Sequence, residues 1–186
     1  MTEKDIEKQF LDHIPSGYTK AFLSIAGFDN LRDSTIASAT DRVINTGEVV
    51  CIDFGLYGNG VHSDMTRCFF VGDDRFGLRD GYHRIQLVIN ESLQFIIPGK
   101  HNKEFIQDLI DVSKKYGLTE YCLTDLGHGI GWDLHEYPDL YNDDFIFEEG
   151  MCFTLEPEYK LNGYFLRYED IYTIHQGETL LLQSLA

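Results

Sequence analysis

The apolar positions of this chain change their spacing along its length, and those changes divide it into elements. Thr2-Glu3-Lys4-Asp5 has the form of a capping box with Asp in place of Glu or Gln, which predicts a short helix to about His13, ended by Pro15-Ser16-Gly17. Residues 18–47 keep no clear period and read as irregular or weakly β, with a turn at Thr46-Gly47. Residues 49–54 and 61–71 then read as a β-hairpin. Within 73–97, Ile85, Val88, Ile89, Leu93 and Ile96-Ile97 recur at helical spacing until Pro98-Gly99 stops them. Asn102 is placed to cap a second helix reaching about Tyr116, with Phe105, Ile106, Leu109, Ile110 and Val112 as its apolar stripe and Gly117 as its end. Residues 123–130, 150–161 and 164–174 are β-rich, and Leu180-Leu181-Leu182 reads as a last strand or tail. A hairpin, two helices and a second hairpin, in that order, predict an α+β fold with a curved antiparallel sheet. The two hairpins hint at a diverged internal duplication.

Composition narrows the classes. A chain of 186 residues, 43% hydrophobic, is one domain with a real core rather than a disordered segment. A formal net charge of −16 disfavours nucleic acid and anionic membranes as partners, and most of it reads as a solvated acidic surface. Cys51, Cys68, Cys122 and Cys152 stand singly in apolar stretches, the pattern of buried free thiols in a reducing compartment. No N-terminal stretch combines a basic region with an apolar core and cleavage site, and no apolar run approaches ~20 residues. The expectation is a soluble, cytoplasmic protein.

The chemistry lies in the two hairpins. A two-residue loop at Gly58-Asn59 sets Asp53 across from Asp64, and a loop at Asn162-Gly163 sets Glu156 across from Glu169. Opposed residues on paired strands hold their Cβ atoms roughly 4.5–5.5 Å apart, so like charges there repel and call for a cation. Gly127-His128-Gly129-Ile130-Gly131 adds an imidazole flanked by glycines that let the backbone approach a ligand closely. Four carboxylates and a histidine suit Mn²⁺, Co²⁺, Fe²⁺ or Zn²⁺, and they outnumber the needs of one small ion. A pair of divalent ions roughly 3.5–4 Å apart fits the count. Taken singly the residues read more plainly: Asp53 as a turn or cap residue, Glu156 as an exposed edge position before Pro157, His128 as a core histidine. Thr66 and His62 share the face of Asp64 by strand alternation, as neighbours of the site or as ordinary packing. His13, His83, His101 and His175 carry no motif and read as surface residues.

Several runs together resemble a known family. Val50-Cys51-Ile52-Asp53-Phe54-Gly55, Ser63-Asp64-Met65-Thr66-Arg67, Gly127 to Gly131, His135-Glu136, Gly150 to Pro157 and Arg167-Tyr168-Glu169-Asp170 are similar to motifs of the pita-bread metallopeptidases. That family holds methionine aminopeptidase, Xaa-Pro aminopeptidase and prolidase, and the likeness runs over about residues 41–182. It implies a pita-bread fold with a pseudo-twofold repeat. It also implies that Asp53, Asp64, His128, Glu156 and Glu169 hold two divalent ions, Mn²⁺ or Co²⁺ foremost, bridged by a hydroxide that attacks a scissile carbonyl. By resemblance alone, His135 contacts the substrate and stabilises the tetrahedral intermediate, and Glu156 doubles as general base. Arg167 points to the Xaa-Pro aminopeptidase and prolidase branch; its guanidinium is able to bind a carboxylate of the substrate or of the protein, and both readings stand. The implied partner is a peptide or dipeptide substrate, and the implied assembly a homo-oligomer, a dimer.

Two features depart from that family. Its peptidases carry another histidine upstream of the first metal-binding Asp, at about position 35 or 36, where this chain has Ser34-Thr35-Ile36-Ala37. The expected layout is a single catalytic domain over 1–186 without the family's longer first helix and separate N-terminal domain. The missing histidine leaves two other readings open: a metal-dependent hydrolase or lyase of a small polar metabolite, and a decayed binding module.

Overall fold

The computed structural model describes residues 1–182. Helix α1 (Glu3–Asp12) opens on the anticipated capping box: Thr2 Oγ1 accepts the Asp5 N–H at 3.1 Å and the Asp5 carboxylate accepts the Thr2 N–H at 2.7 Å. Residues 18–47 hold more order than their pattern suggests. They contain strand β1 (Tyr18–Ala26), paired antiparallel with β2 (Val49–Gly58). Its first residues are exposed and its last buried, and the register shifts between Lys20 and Phe22, so no clean alternation survives to be read. The turn at Thr46-Gly47 is present, with Gly47 at φ 92°.

Strand β2 is buried on both faces. Val50 and Ile52 pack under Ile6 and Phe10 of α1, while Val49 and Cys51 join the main core with Ile85, Ile89 and Leu109. Strand alternation puts Asp53 on the Cys51 side. Beside β2 lie β3 (Val61–His62) and β4 (Met65–Phe70). The first turn differs from expectation. Asn59 (φ 55°) and Gly60 (φ 85°) are both left-handed, so the loop is Asn59-Gly60, one residue beyond Gly58-Asn59. The pairs are therefore Gly58 with Val61 and Asp53 with Thr66, and Asp53 does not face Asp64 directly.

Helix α2 (Leu78–Ser92) starts later than the predicted stretch because the Asp74 carboxylate accepts the Leu78 and Arg79 N–H groups, both at 2.9 Å. A 3₁₀ turn, Leu93–Phe95, follows it. Helix α3 (Asn102–Lys115) is capped by His101, whose ring accepts the Lys103 N–H at 3.1 Å. Asn102 is instead the first helical residue, and its buried amide donates to the carbonyls of Leu140 and Asp143.

The second half forms two further antiparallel sheets. One has the order β10 (Tyr164–Arg167), β9 (Glu158–Leu161), β5 (Tyr121–Cys122). The other runs β12 (Glu178–Leu181), β11 (Asp170–His175), β8 (Cys152–Leu155), β6 (His128–Gly129), β7 (Glu136–Asp139). Of residues 123–130 only His128 and Gly129 are strand. The turn at Asn162 (φ 50°) and Gly163 (φ 86°) sets Leu161 against Tyr164 and Glu158 against Arg167. The same register continues where Leu155 meets Asp170, so Glu156 and Glu169 lie opposite one another in the gap between two ladders. Among the described residues no helix is long and apolar enough to cross a membrane.

Candidate metal centre

Four parts of the fold deliver five side chains to one place. Asp53 comes from the middle of β2 and Asp64 from the break between β3 and β4; His128 opens β6, and Glu156 and Glu169 flank the β9–β10 hairpin. Although Asp64 is not directly opposite Asp53, a slip of two residues keeps both on one face. All five are buried. Asp53, Asp64 and Glu169 offer oxygens within 4.8 Å of one another, and His128, Glu156 and Glu169 form an equally close group. His135 forms a third with Asp64 and His128, its exposed ring centred 3.9 Å from that of His128.

The donors are held from behind. Thr66 Oγ1 donates to Glu169 Oε2 at 2.5 Å, and Thr154 Oγ1 donates to Glu156 Oε1 at 2.9 Å while accepting the His128 N–H at 3.0 Å. His128 Nδ1 lies 3.0 Å from the Gly129 carbonyl, leaving Nε2 toward Asp64 Oδ2 (3.6 Å) and Glu156 Oε1 (3.4 Å). Gly127 permits this: a Cβ there would lie 2.2 Å from the Thr154 carbonyl oxygen, and its φ of 144° is closed to other residues. Arg67 ties the far strand down, pairing with Asp170 at 2.6 Å and donating to the Glu169 carbonyl.

Arg167 is turned inward. It is 3% exposed and faces Glu156 Oε2 at 3.1 Å, Glu158 Oε2 at 3.7 Å and Asp53 Oδ2 at 3.8 Å, with Asp125 as its tightest partner. Burial disfavours its charge, but the surrounding carboxylates raise its pKa further still. Of the two expected uses, the geometry displays the carboxylates of the protein. Asp125 and Glu158 were not anticipated. Glu158 was readable, since the turn that opposes Glu156 and Glu169 also opposes Glu158 and Arg167; nothing in the pattern marks Asp125. Among the described residues the His62 ring pairs with none of the carboxylates; it lies 4.7 Å from the ring of Tyr57. Thr35 is buried and donates to Glu158 at 2.5 Å, and Ile36 is exposed.

The electrostatics are those of like charges forced together. Burial, then the charge of Asp64, pushes Asp53 up to about 7; burial pushes Glu156 up to about 7 against the pull of Arg167. Glu169, fully buried among three other carboxylates, is driven well above the carboxylate range. Burial works against charge on His128, but Asp64 and Glu156 outweigh it and hold its pKa above the ordinary value. Burial, then the charge of His128, holds His135 below its own. Asp53 Oδ1, Asp64 Oδ1 and Glu169 Oε1 are buried without a hydrogen-bond partner. A bare buried carboxylate oxygen is costly, and oxygens converging within ligand distance suit divalent ions. The donor set therefore fits a metal centre.

A curved antiparallel fold around a carboxylate–histidine cluster defines a class, the pita-bread metallopeptidases. The chain belongs to metallopeptidase family M24, whose model matches residues 1–176. It is 34% identical over 143 residues to a Xaa-Pro dipeptidase of Pyrococcus furiosus, covering 75% of this chain and 40% of that protein. It is 30% identical over 174 residues to a probable dipeptidase PepE of Mycobacterium bovis, covering 91% and 46%. The crystal structure of a prolidase from Pyrococcus horikoshii superposes with a TM-score of 0.84 at 26% identity, over 98% of this chain and 54% of that one. The chain thus spans about half the length of these relatives.

Proposed function

We propose that this chain cleaves Xaa-Pro peptides or dipeptides with two divalent ions, Mn²⁺ or Co²⁺ foremost, held by Asp53, Asp64, His128, Glu156 and Glu169. The observation that carries this reading is the converging set of buried donors, three of them with bare oxygens. The relatives named Xaa-Pro dipeptidase support the substrate. Bound there, divalent ions polarise a carbonyl and lower the pKa of water. Glu156, braced by Thr154 and Arg167, takes the proton of the attacking water. His135 is exposed beside His128, so its ring can donate to the oxygen on which charge develops. Arg167 positions Glu156 and Asp53. Thr66 fixes Glu169. The four unpaired cysteines support a reducing, cytoplasmic setting. A homodimer belongs to the same proposal, and sedimentation velocity tests it.

Purified chain with Mn²⁺ or Co²⁺ should turn over Xaa-Pro dipeptides, and Glu156→Gln should abolish this. Turnover no greater than that of the Glu156→Gln protein would overturn the reading. A second reading keeps the ions and changes the substrate to a small polar metabolite. It is favoured by Thr35, which is engaged with Glu158 where the family places a histidine. On that reading Ile36→His creates no peptidase activity.

A further inference from the structure

The chain has one tryptophan, Trp132, and it is 83% exposed on the loop between His128 and His135. A single exposed apolar residue is ordinary on a protein surface. This one is distinguished by how its backbone is held and by what surrounds it. The Gly131 carbonyl accepts the His62 N–H at 2.8 Å, the Gly131 N–H donates to the Asp133 carbonyl at 3.2 Å, and the Asp133 N–H donates to Glu136 Oε1 at 2.7 Å. The indole is thus presented from a loop fixed on both sides. Its neighbour through the His62 bond is the tip of the β2–β3 hairpin, where the rings of Tyr57 and His62 meet at a 41° tilt and Val61 is also exposed. The apolar rim is therefore carried by the loop that joins His128 to His135, three residues before His135, and it is bonded to His62, two residues before Asp64. A rigid indole loses little conformational freedom on covering a ligand, which makes it an effective anchor.

We infer that Trp132 is the platform on which a flat apolar residue of the substrate, proline or an aromatic residue next to the scissile bond, packs when the peptide reaches the metal centre. The inference rests on the peptidase reading above. It makes Trp132 a specificity-determining residue and assigns it no part in the bond-breaking step. Because no other tryptophan contributes, its emission reports directly on the subsite.

The test uses the full chain loaded with Mn²⁺ and dipeptide isosteres in which a methylene replaces the scissile carbonyl, so that nothing is turned over. Isosteres of Ala-Pro and Phe-Pro should shift the emission to the blue saturably. Trp132→Ala should weaken their binding, measured by calorimetry, about five- to tenfold, with a smaller loss for a Gly-Gly isostere and no change in metal content. Trp132→Phe should recover most of the loss. Ring-bearing isosteres that bind without an emission change, and bind Trp132→Ala equally well, would remove Trp132 from the subsite while leaving the peptidase reading standing. Failure of every isostere to bind would overturn both. A blue shift that depends on protein concentration without any isostere would place Trp132 between copies of the chain and overturn the inference.

Discussion

Glu169 shows most plainly what the site costs the fold. Its carboxylate is fully buried beside Asp53, Asp64 and Glu156, and among the described residues only Thr66 donates a hydrogen bond to one of its oxygens. Glu169→Gln keeps the shape and removes the repulsion, so the metal-free variant should melt above the metal-free parent at pH 8. Added Mn²⁺ should stabilise the parent and leave the variant unmoved; calorimetry in both states checks this. Thr66→Val removes the hydroxyl that holds Glu169. A lost bond to a charged group costs about 1.5–3 kcal/mol, and loss of such a supporting partner weakens metal affinity about 10- to 100-fold. An unchanged affinity for Mn²⁺ in Thr66→Val would show that Glu169 is held by its backbone alone.

At the scale of elements, turn chemistry decided what could be read. Asn162-Gly163 allowed a single reading, and the pairing of Glu156 with Glu169 followed from it. Gly58-Asn59-Gly60 allowed two. The loop falls on Asn59-Gly60, since Asn followed by Gly satisfies positive φ at both central positions. The carboxylates still converge, because a two-residue slip leaves every side chain on its face. Strand β1 was illegible for a different reason: its bulge and its exposed first half break the alternation on which such a reading depends. His101 replaced Asn102 as the cap because the Asn102 amide is engaged by the 140–145 loop, a tertiary contact invisible in local pattern. Two glycine substitutions separate turn from site. Gly60→Ala meets nothing within 4 Å and should cost only the roughly 1–2 kcal/mol of a left-handed residue. Gly127→Ala drives a methyl into the Thr154 carbonyl and should displace His128, destabilising the protein more and abolishing tight metal binding. Equal melting losses and equal metal content in the two variants would contradict this division.

For the whole molecule, Asp53 and Glu156 make up a small part of the −16 formal charge, yet their raised pKa values shape its response to pH. Without metal, Asp53 and Glu156 titrate at about 7 in the folded protein and at about 4 in the unfolded chain. The folded state then holds more protons between these values, so stability falls as pH rises from about 4 to about 7, by on the order of a few kcal/mol. His128, held above its ordinary value, acts in the same direction. Glu48, Asp74 and Asp139 lie below theirs, and their contribution is lost only at lower pH. Divalent ions held there as proposed would bind the ionised carboxylates and should abolish the slope; thermal melts across this range with and without Mn²⁺ check it. On the proposal above, the five buried donors hold two ions. Elemental analysis of the full chain after equilibrium dialysis against Mn²⁺ should find two ions per chain, with a marked loss in Asp53→Asn and in Glu169→Gln. A parent chain that retains no ion, or retains ions equally in both variants, would contradict it.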